Sequence, residues 1–533
     1  MRIYQKYAKT LPYRNKRKQR KDNEAKENQS AQLPSEAQER TVFSTIDENF
    51  GFLTSILGQG IGLIQAKFEV LKGKAEVGLA YIEGITDTKL VSSQVIEPLL
   101  RGDAEFQTGS FNNLLTVMQS KLISIPDTKQ SGQMQQIVDG LLNGNTLLFI
   151  EGLDTALIVG SGKFEKRSIE KPDNEVTVLG AMDSFTEDLE TNGSLIIRRL
   201  PTPDLQFETF TVGKYTHTKV KLLWLKGIAN EKIVQEAKRR IKQIDIDAVH
   251  GIGTLAELIQ DDPVSLFPKY KQTQRPDTVV RNLTEGHFAI LCSNSPFAMV
   301  APVSFWDNFR TIDDYSETPI VSSYLRFTRI LCFFLLSIIG PLYLSFVAYN
   351  HTIVPPALAL NIASGREGVP FPSVVELLIL TFSIDIIREA SLRISGSVGF
   401  FIGTLSAVVI GQASVSAGYV SASVIIVVAV AAISSFAVSS TTLVYPSRLT
   451  TYFFMLLASI FGMFGLINAI VIITWYLVSL DSFGVPYFYP LVPFDSSGMS
   501  DTFVRSPFSV MKKRLRILAP FNRSRTNYKG SDD

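Results

Sequence analysis

Cysteine and histidine are scarce in this chain, and their scarcity removes several chemistries at once. Only Cys292 and Cys332 occur among 533 residues. No disulfide framework is therefore expected, and the soluble part suits a reducing compartment. The four histidines, His217, His250, His287 and His351, show no ligand-like spacing. There is no His-Glu-x-x-His pair, no Cys-x-x-Cys pair, no Gly-x-Ser-x-Gly elbow and no Gly-rich loop ending in Gly-Lys-Ser/Thr. Gly58, Gly60 and Gly62 resemble a fragment of a phosphate loop, but no strand precedes them, so they read as helix punctuation. These absences leave no specific reason to expect an enzyme, a metal site or a cofactor. A signal-peptide core is also missing from residues 1–21, so cleavage-dependent export of the polar half is not expected.

A large net charge is lacking as well. The formal balance is +2, but it is uneven: basic residues crowd 14–26 and 512–525. By the positive-inside rule both ends prefer the cytoplasm, and as juxtamembrane arms they call for no nucleic-acid partner.

What the sequence has is a polar first half and an apolar second half. The length suggests three or four units. Residues 1–40 read as a disordered basic arm. Residues 41–73 carry apolar side chains at helical spacing (Phe50, Leu53, Ile56, Leu57, then Ile61, Ile64, Phe68) and read as an amphipathic helical segment. An internal duplication follows. EVGLAYIEGI at 76–85 is echoed by KVKLLWLKGI at 219–228, and GNTLLFIEGLDTALIVGS at 144–161 by GHFAILCSNSPFAMVAPV at 286–303. Because strand, helix and hairpin recur in one order, the expectation is an α/β soluble region of two duplicated small modules, at 74–165 and 219–325. A charged connector, 166–218, separates them.

The expected continuation is an α-helical multi-pass membrane domain at 326–494, then a basic cytoplasmic tail at 495–533. Residues 330–365, 394–447 and 449–480 hold no charged side chain, and each run exceeds the roughly 20 residues of one helical crossing. Gly462 and Gly465 make the last run either a tilted helix or a tight hairpin. Residues 483–490, aromatic and proline-rich, read as an interfacial belt.

Ionisable groups nevertheless enter this apolar half between 361 and 393. Arg366 and Glu367 lie among helix breakers, Gly365, Gly368, Pro370 and Pro372, which predict either broken or re-entrant helix or a plain extracellular loop. Glu376, Asp385, Arg388 and Glu389 follow on one predicted helix. At helical spacing Asp385, Arg388 and Glu389 share a wedge and partly neutralise one another, while Glu376 points elsewhere. A charge at lipid depth costs roughly 2.5–3.5 kcal/mol on insertion scales, so such groups face a bundle interior or water. An ion path or a polar membrane seam is the functional reading; snorkelling at the interface is the plain one.

Several of these residues form recognisable motifs. Arg366-Glu-Gly-Val-Pro-Phe-Pro, Glu376, Ile386-Ile-Arg-Glu-Ala, Val409-Ile-Gly-Gln-Ala and Phe483-Gly-Val-Pro-Tyr resemble the A subunit of the GerA-type spore germination receptors. The soluble half agrees through Arg167, Glu170, Pro172, Gly180, Phe185-Thr-Glu187, Asn192, Arg198-Arg199, Ile246-Asp247, Phe267-Pro268, Arg275-Pro-Asp277 and Pro296-Phe297. The likeness runs from about 141 to 494. It implies a homo-oligomeric subunit in the inner spore membrane of spore-forming Firmicutes, beside a transporter-like B subunit and a lipoprotein C subunit. Nutrients would bind mainly at the B subunit, and a ring of A subunits would pass ions when triggered. Membrane lipid is then a further partner.

The chain departs from that pattern in places. Thr381 stands where relatives carry a further acid, Asp385 replaces a Glu, and Ile394-Ser395 replaces a Leu-Pro. The basic loop before Phe185 is reduced to Leu179-Gly-Ala-Met-Asp-Ser184. Two alternatives stay open: a membrane-anchored signalling scaffold whose soluble modules bind a partner or small ligand, and the paralogous A-type subunit of the dipicolinic acid channel operon.

Overall fold

The computed structural model describes residues 40–525 apart from 59, 71–74, 102–122, 124, 163–174, 176–179, 393–408, 439 and 519–521. The expected basic arm up to residue 39 lies outside the described residues.

The duplication appears as two five-stranded antiparallel sheets of the same topology. The first has strand order β1-β2-β4-β5-β3, with β1 Leu63–Val70, β2 Ala75–Ile82, β3 Thr128–Ser131, β4 Thr146–Ile150 and β5 Ala156–Val159. The second repeats it as β6-β7-β9-β10-β8, with β6 Leu205–Val212, β7 Thr218–Leu225, β8 Lys271–Thr273, β9 Phe288–Cys292 and β10 Ala298–Ala301. Both sheets begin earlier than the repeat suggested. Residues 63–70 form a strand, not helix, because Ile64, Ala66, Phe68 and Val70 also fit a period of two and the run pairs along its length with β2. Likewise β6 and its preceding helix stand inside the stretch expected as a charged connector.

Helices α1 Ile46–Leu57, α2 Met134–Leu142, α3 Leu189–Arg199 and α6 Pro276–Glu285 fill the space between the sheets. Helices α4 Glu231–Lys242 and α5 Ile252–Ile259 cover the far face of the second sheet. Alternation on β9 accounts for the layering: Ala289 and Leu291 enter the shared core, whereas Phe288, Ile290 and Cys292 face α4 and α5. Local chemistry sets the helix ends. Asp188 accepts from Thr191 N–H at the start of α3, Asn230 from Lys232 N–H at the start of α4, and Pro276 opens α6 while Gly286 closes it at φ 100°. Gly78 is required by contact: a Cβ there would lie 2.4 Å from Ile46 on α1.

The apolar half is helical: α7 Pro319–Ala348, α8 Pro356–Ser364, α9 Ser373–Leu392, α10 Ala422–Ala437 and α11 Thr441–Ser479. Among the described residues, α7 and the stretch 442–479 are long and apolar enough to cross a membrane. The α11 stretch is a hairpin. Gly462 leaves helical geometry (φ 61°, ψ −140°), and the backbone returns so closely that a Cβ on Gly465 would sit 2.0 Å from the Leu457 carbonyl oxygen. Its tip rests on Tyr349 at the end of α7, whose hydroxyl donates to the Ser459 and Ile460 carbonyls.

The two halves meet at an aromatic joint. Phe305, Trp306 and Phe309 pack on Phe333 of α7 and on Tyr487 and Phe488. The 483–490 motif is thus buried between the halves instead of forming an interfacial belt. Tyr487 is fully buried, donating to the Pro268 carbonyl at 2.8 Å, and Phe483 packs edge-on to Phe288. The basic tail is partly folded too. Leu518 enters the outer core of the second sheet, and Arg514 donates to the Thr284 carbonyl at the end of α6.

Candidate functional site: compensated charges among the apolar helices

Gly365, Gly368, Pro370 and Pro372 all fall in the turn between α8 and α9. Pro372 cannot continue a preceding helix, and its carbonyl accepts from Val375 and Glu376 N–H to start α9. The turn carries Arg366, half-buried, and Glu367, exposed.

Glu376 has no exposed surface. One carboxylate oxygen accepts from the backbone N–H and the hydroxyl of Ser421, both at 2.9 Å. The other lies 3.3 Å from the Arg366 guanidinium, which also donates to Ser373. Ser421 caps α10, so the carboxylate also meets the positive end of that helix. Its charge is compensated from two elements.

Asp385 pairs with Arg448 and accepts from the Tyr452 hydroxyl at 2.7 Å, both on the first arm of α11. Arg388 donates to Ser435 at 3.0 Å and lies over the Phe436 ring, on α10. Glu389 is exposed. The expected mutual neutralisation of Asp385 and Arg388 thus gives way to separate partners on neighbouring helices, because those helices bring opposite charge and hydroxyls closer than α9's own next turn. Sequence reasoning passed over Arg448, Ser421 and Tyr452. An isolated arginine between two long uncharged runs was the available signal for the first; nothing marked the other two.

A small void of about 30 Å³ lies where α7, α9, α10 and α11 converge, walled by Thr381, Asp385, Arg448 and Thr451 among apolar residues. It exceeds the roughly 10–15 Å³ one water needs, and little more.

The motif residues of the α/β half do a different job. Arg275, 2% exposed, binds Asp277 through two nitrogens at 3.1 and 2.6 Å and donates to the Ala181 carbonyl at 2.9 Å. Asn192 holds the Thr186 backbone with bonds of 2.7 and 2.6 Å, and Arg199 pairs with Asp183. Together they fasten the loop before α3 to the start of α6. Glu187 and Arg198 are exposed on that loop and helix. Arg167 and Glu170 lie outside the described residues.

Paired α/β modules joined to an apolar helical bundle with buried, compensated charges define the class. The chain belongs to the family described as Bacillus/Clostridium GerA spore germination protein, whose profile matches residues 52–517. It is 35% identical over 438 residues to spore germination protein KA of Bacillus subtilis, covering 82% of this chain and 80% of that one. It is 34% identical over 440 residues to spore germination protein GerLA of Bacillus cereus, covering 83% and 89%. Bacillus subtilis YfkQ, described as an uncharacterized membrane protein, is 34% identical over 477 residues, covering 90% and 92%. Among solved structures, the N-terminal domain of the A subunit of the Bacillus megaterium spore germinant receptor GerK3 aligns at 28% identity and a TM-score of 0.40, over 50% of this chain and 97% of that one.

Proposed function

We propose that this protein is the A subunit of a nutrient-responsive spore germination receptor, and that its helical half crosses the inner spore membrane several times to form or gate an ion path. The soluble modules and the tail face the cytoplasm, and the transporter-like B and lipoprotein C subunits are its partners. The observation that carries the reading is Glu376: a carboxylate without exposed surface, held by Arg366 and the head of α10 inside an apolar bundle. Such groups are retained where they face a bundle interior or an aqueous route. A larger cavity of about 520 Å³ is lined by Arg366 and Glu367, and with the void near Asp385 it supports an aqueous route beside these groups. Arg366, Glu367, Asp385, Arg388 and Glu389 would then set the field along it.

Spores carrying Glu376→Gln or Arg388→Gln test this by ion release on nutrient addition, alongside immunoblots of receptor level. Slower release at normal level is expected. Unchanged release at normal level would leave the scaffold reading standing instead.

A further inference from the structure

Away from the helical seam, a cavity of about 260 Å³ opens where α6, the segment before α7 and the C-terminal tail meet. That is far above the roughly 10–15 Å³ of a single water. Five cationic side chains line it, Arg281, Arg310, Lys513, Arg514 and Arg525, against two carboxylates, Glu285 and Asp501. Both carboxylates are already engaged. Glu285 pairs with Arg525 at 2.5 Å, and Asp501 accepts from Arg326 at 3.0 Å and from the Tyr315 hydroxyl at 2.7 Å.

The guanidinium groups are not satisfied to the same degree. Among the described residues, the buried Nε atoms of Arg281, Arg310 and Arg525 find no acceptor. Arg310 is 8% exposed, its other nitrogens bound to Asp307 and Thr502. Arg281 lies over the Tyr315 ring, 4.7 Å from its centroid, which orients the guanidinium plane. Buried donors are nearly always paired, and an enclosed excess of positive charge is relieved by an anion.

We infer that this cavity is a binding site for a phosphate group, with Arg281, Arg310 and Arg525 as donors and Lys513 and Arg514 supplying further charge. Guanidinium forks match the oxygens of phosphate, and the cavity leaves room for atoms attached to it. An occupant would tie the tail to the second module and to the base of α7. This assignment stands apart from the ion-path reading, since it uses no residue of the helical seam. The phosphate comes either from a soluble ester or from a lipid headgroup. Phe508 on the cavity wall and Ile320 and Tyr324 on the first turns of α7 are exposed apolar side chains that suit the second source.

The test uses the full chain purified in detergent. Thermal unfolding is followed while inorganic phosphate or glycerol 3-phosphate is titrated at constant ionic strength. In parallel, native mass spectrometry counts phosphatidylglycerol retained after extraction from phosphatidylcholine vesicles with and without that lipid. A saturable shift with either soluble probe assigns a soluble ester, and stoichiometric phosphatidylglycerol assigns a headgroup. Either response should weaken at least tenfold in Arg281→Gln and in Arg525→Gln, and stay unchanged in Lys512→Gln, which removes a charge outside the cavity. No saturable response to any probe, or equal weakening by Lys512→Gln, overturns the inference. So does an undiminished response in whichever cavity variant folds.

Discussion

Arg326, on the first turns of α7, donates from Nε and a terminal nitrogen to the same Asp314 oxygen at 3.1 and 3.0 Å, and neither side chain has exposed surface. Asp314 also accepts from Arg329 at 2.6 Å, and Arg326 reaches Asp501 in the tail. The start of the first long apolar helix is thereby locked to both the α/β half and the tail.

Removing one partner of a buried pair strands the other charge, at a cost of about 3–5 kcal/mol. Asp314→Ala should therefore lower the unfolding temperature of the detergent-solubilised chain more than Arg329→Ala does. Burial alone would raise the Asp314 pKa, but Arg329 and Arg326 outweigh it and hold the carboxyl below 3.8. Its contribution is complete above that pH and is lost as pH falls through the lower folded value. Acid titration of stability should show a step in the unaltered chain that Asp314→Ala lacks.

Lys271 gives a dependence of the same sign at alkaline pH. Desolvation, with repulsion from Arg281, pushes its amine from 10.5 down to about 8. Between those values the unfolded chain binds more protons than the folded one, so stability rises with pH, by at most about 1.4 kcal/mol per unit. Below pH 8 both states are protonated and the slope vanishes. Chemical denaturation at pH 8, 9 and 10 should give a smaller increase in Lys271→Met than in the unaltered chain.

The helical hairpin depends on Gly462. A side chain there would adopt φ 61° and place Cβ 2.8 Å from the Tyr349 ring. Gly462→Ala should cost about 1–3 kcal/mol and reduce protein level. Gly368→Ala, where a Cβ meets nothing within 4 Å, should leave both unchanged.

Arg366 and Glu376 should behave as a unit. Arg366→Gln leaves the buried carboxylate with Ser421 alone and should destabilise by about 3 kcal/mol. Adding Glu376→Gln removes the stranded charge, so the double variant should recover more than half of that loss in a thermal-unfolding cycle. Additive losses would show that the two residues do not share their charge.

Much of this architecture is legible in the sequence. The echo of 76–85 in 219–228 marked β2 and β7, and that of 144–161 in 286–303 marked the hairpins β4-β5 and β9-β10. These segments are buried on both faces, so their composition alone sets them apart. The strand at 63–70 was hidden because its apolar spacing fits both periods, and pairing with β2 decides between them. The 483–490 motif was misleading for a similar reason. Aromatic rings suit a membrane interface and a buried joint equally, and only contact with Phe288 and Phe305 selects the second.

By itself the sequence determined the duplicated α/β modules, the apolar half and the presence of ionisable groups within it. Those follow from periodicity and transfer energies, which are properties of short segments. The tertiary structure decided which charges compensate which: Glu376 with Arg366 and the head of α10, Asp385 with Arg448, Arg388 with Ser435. Electrostatic pairing falls off over a few ångströms through space, and residues tens of positions apart reach that range only once helices have packed.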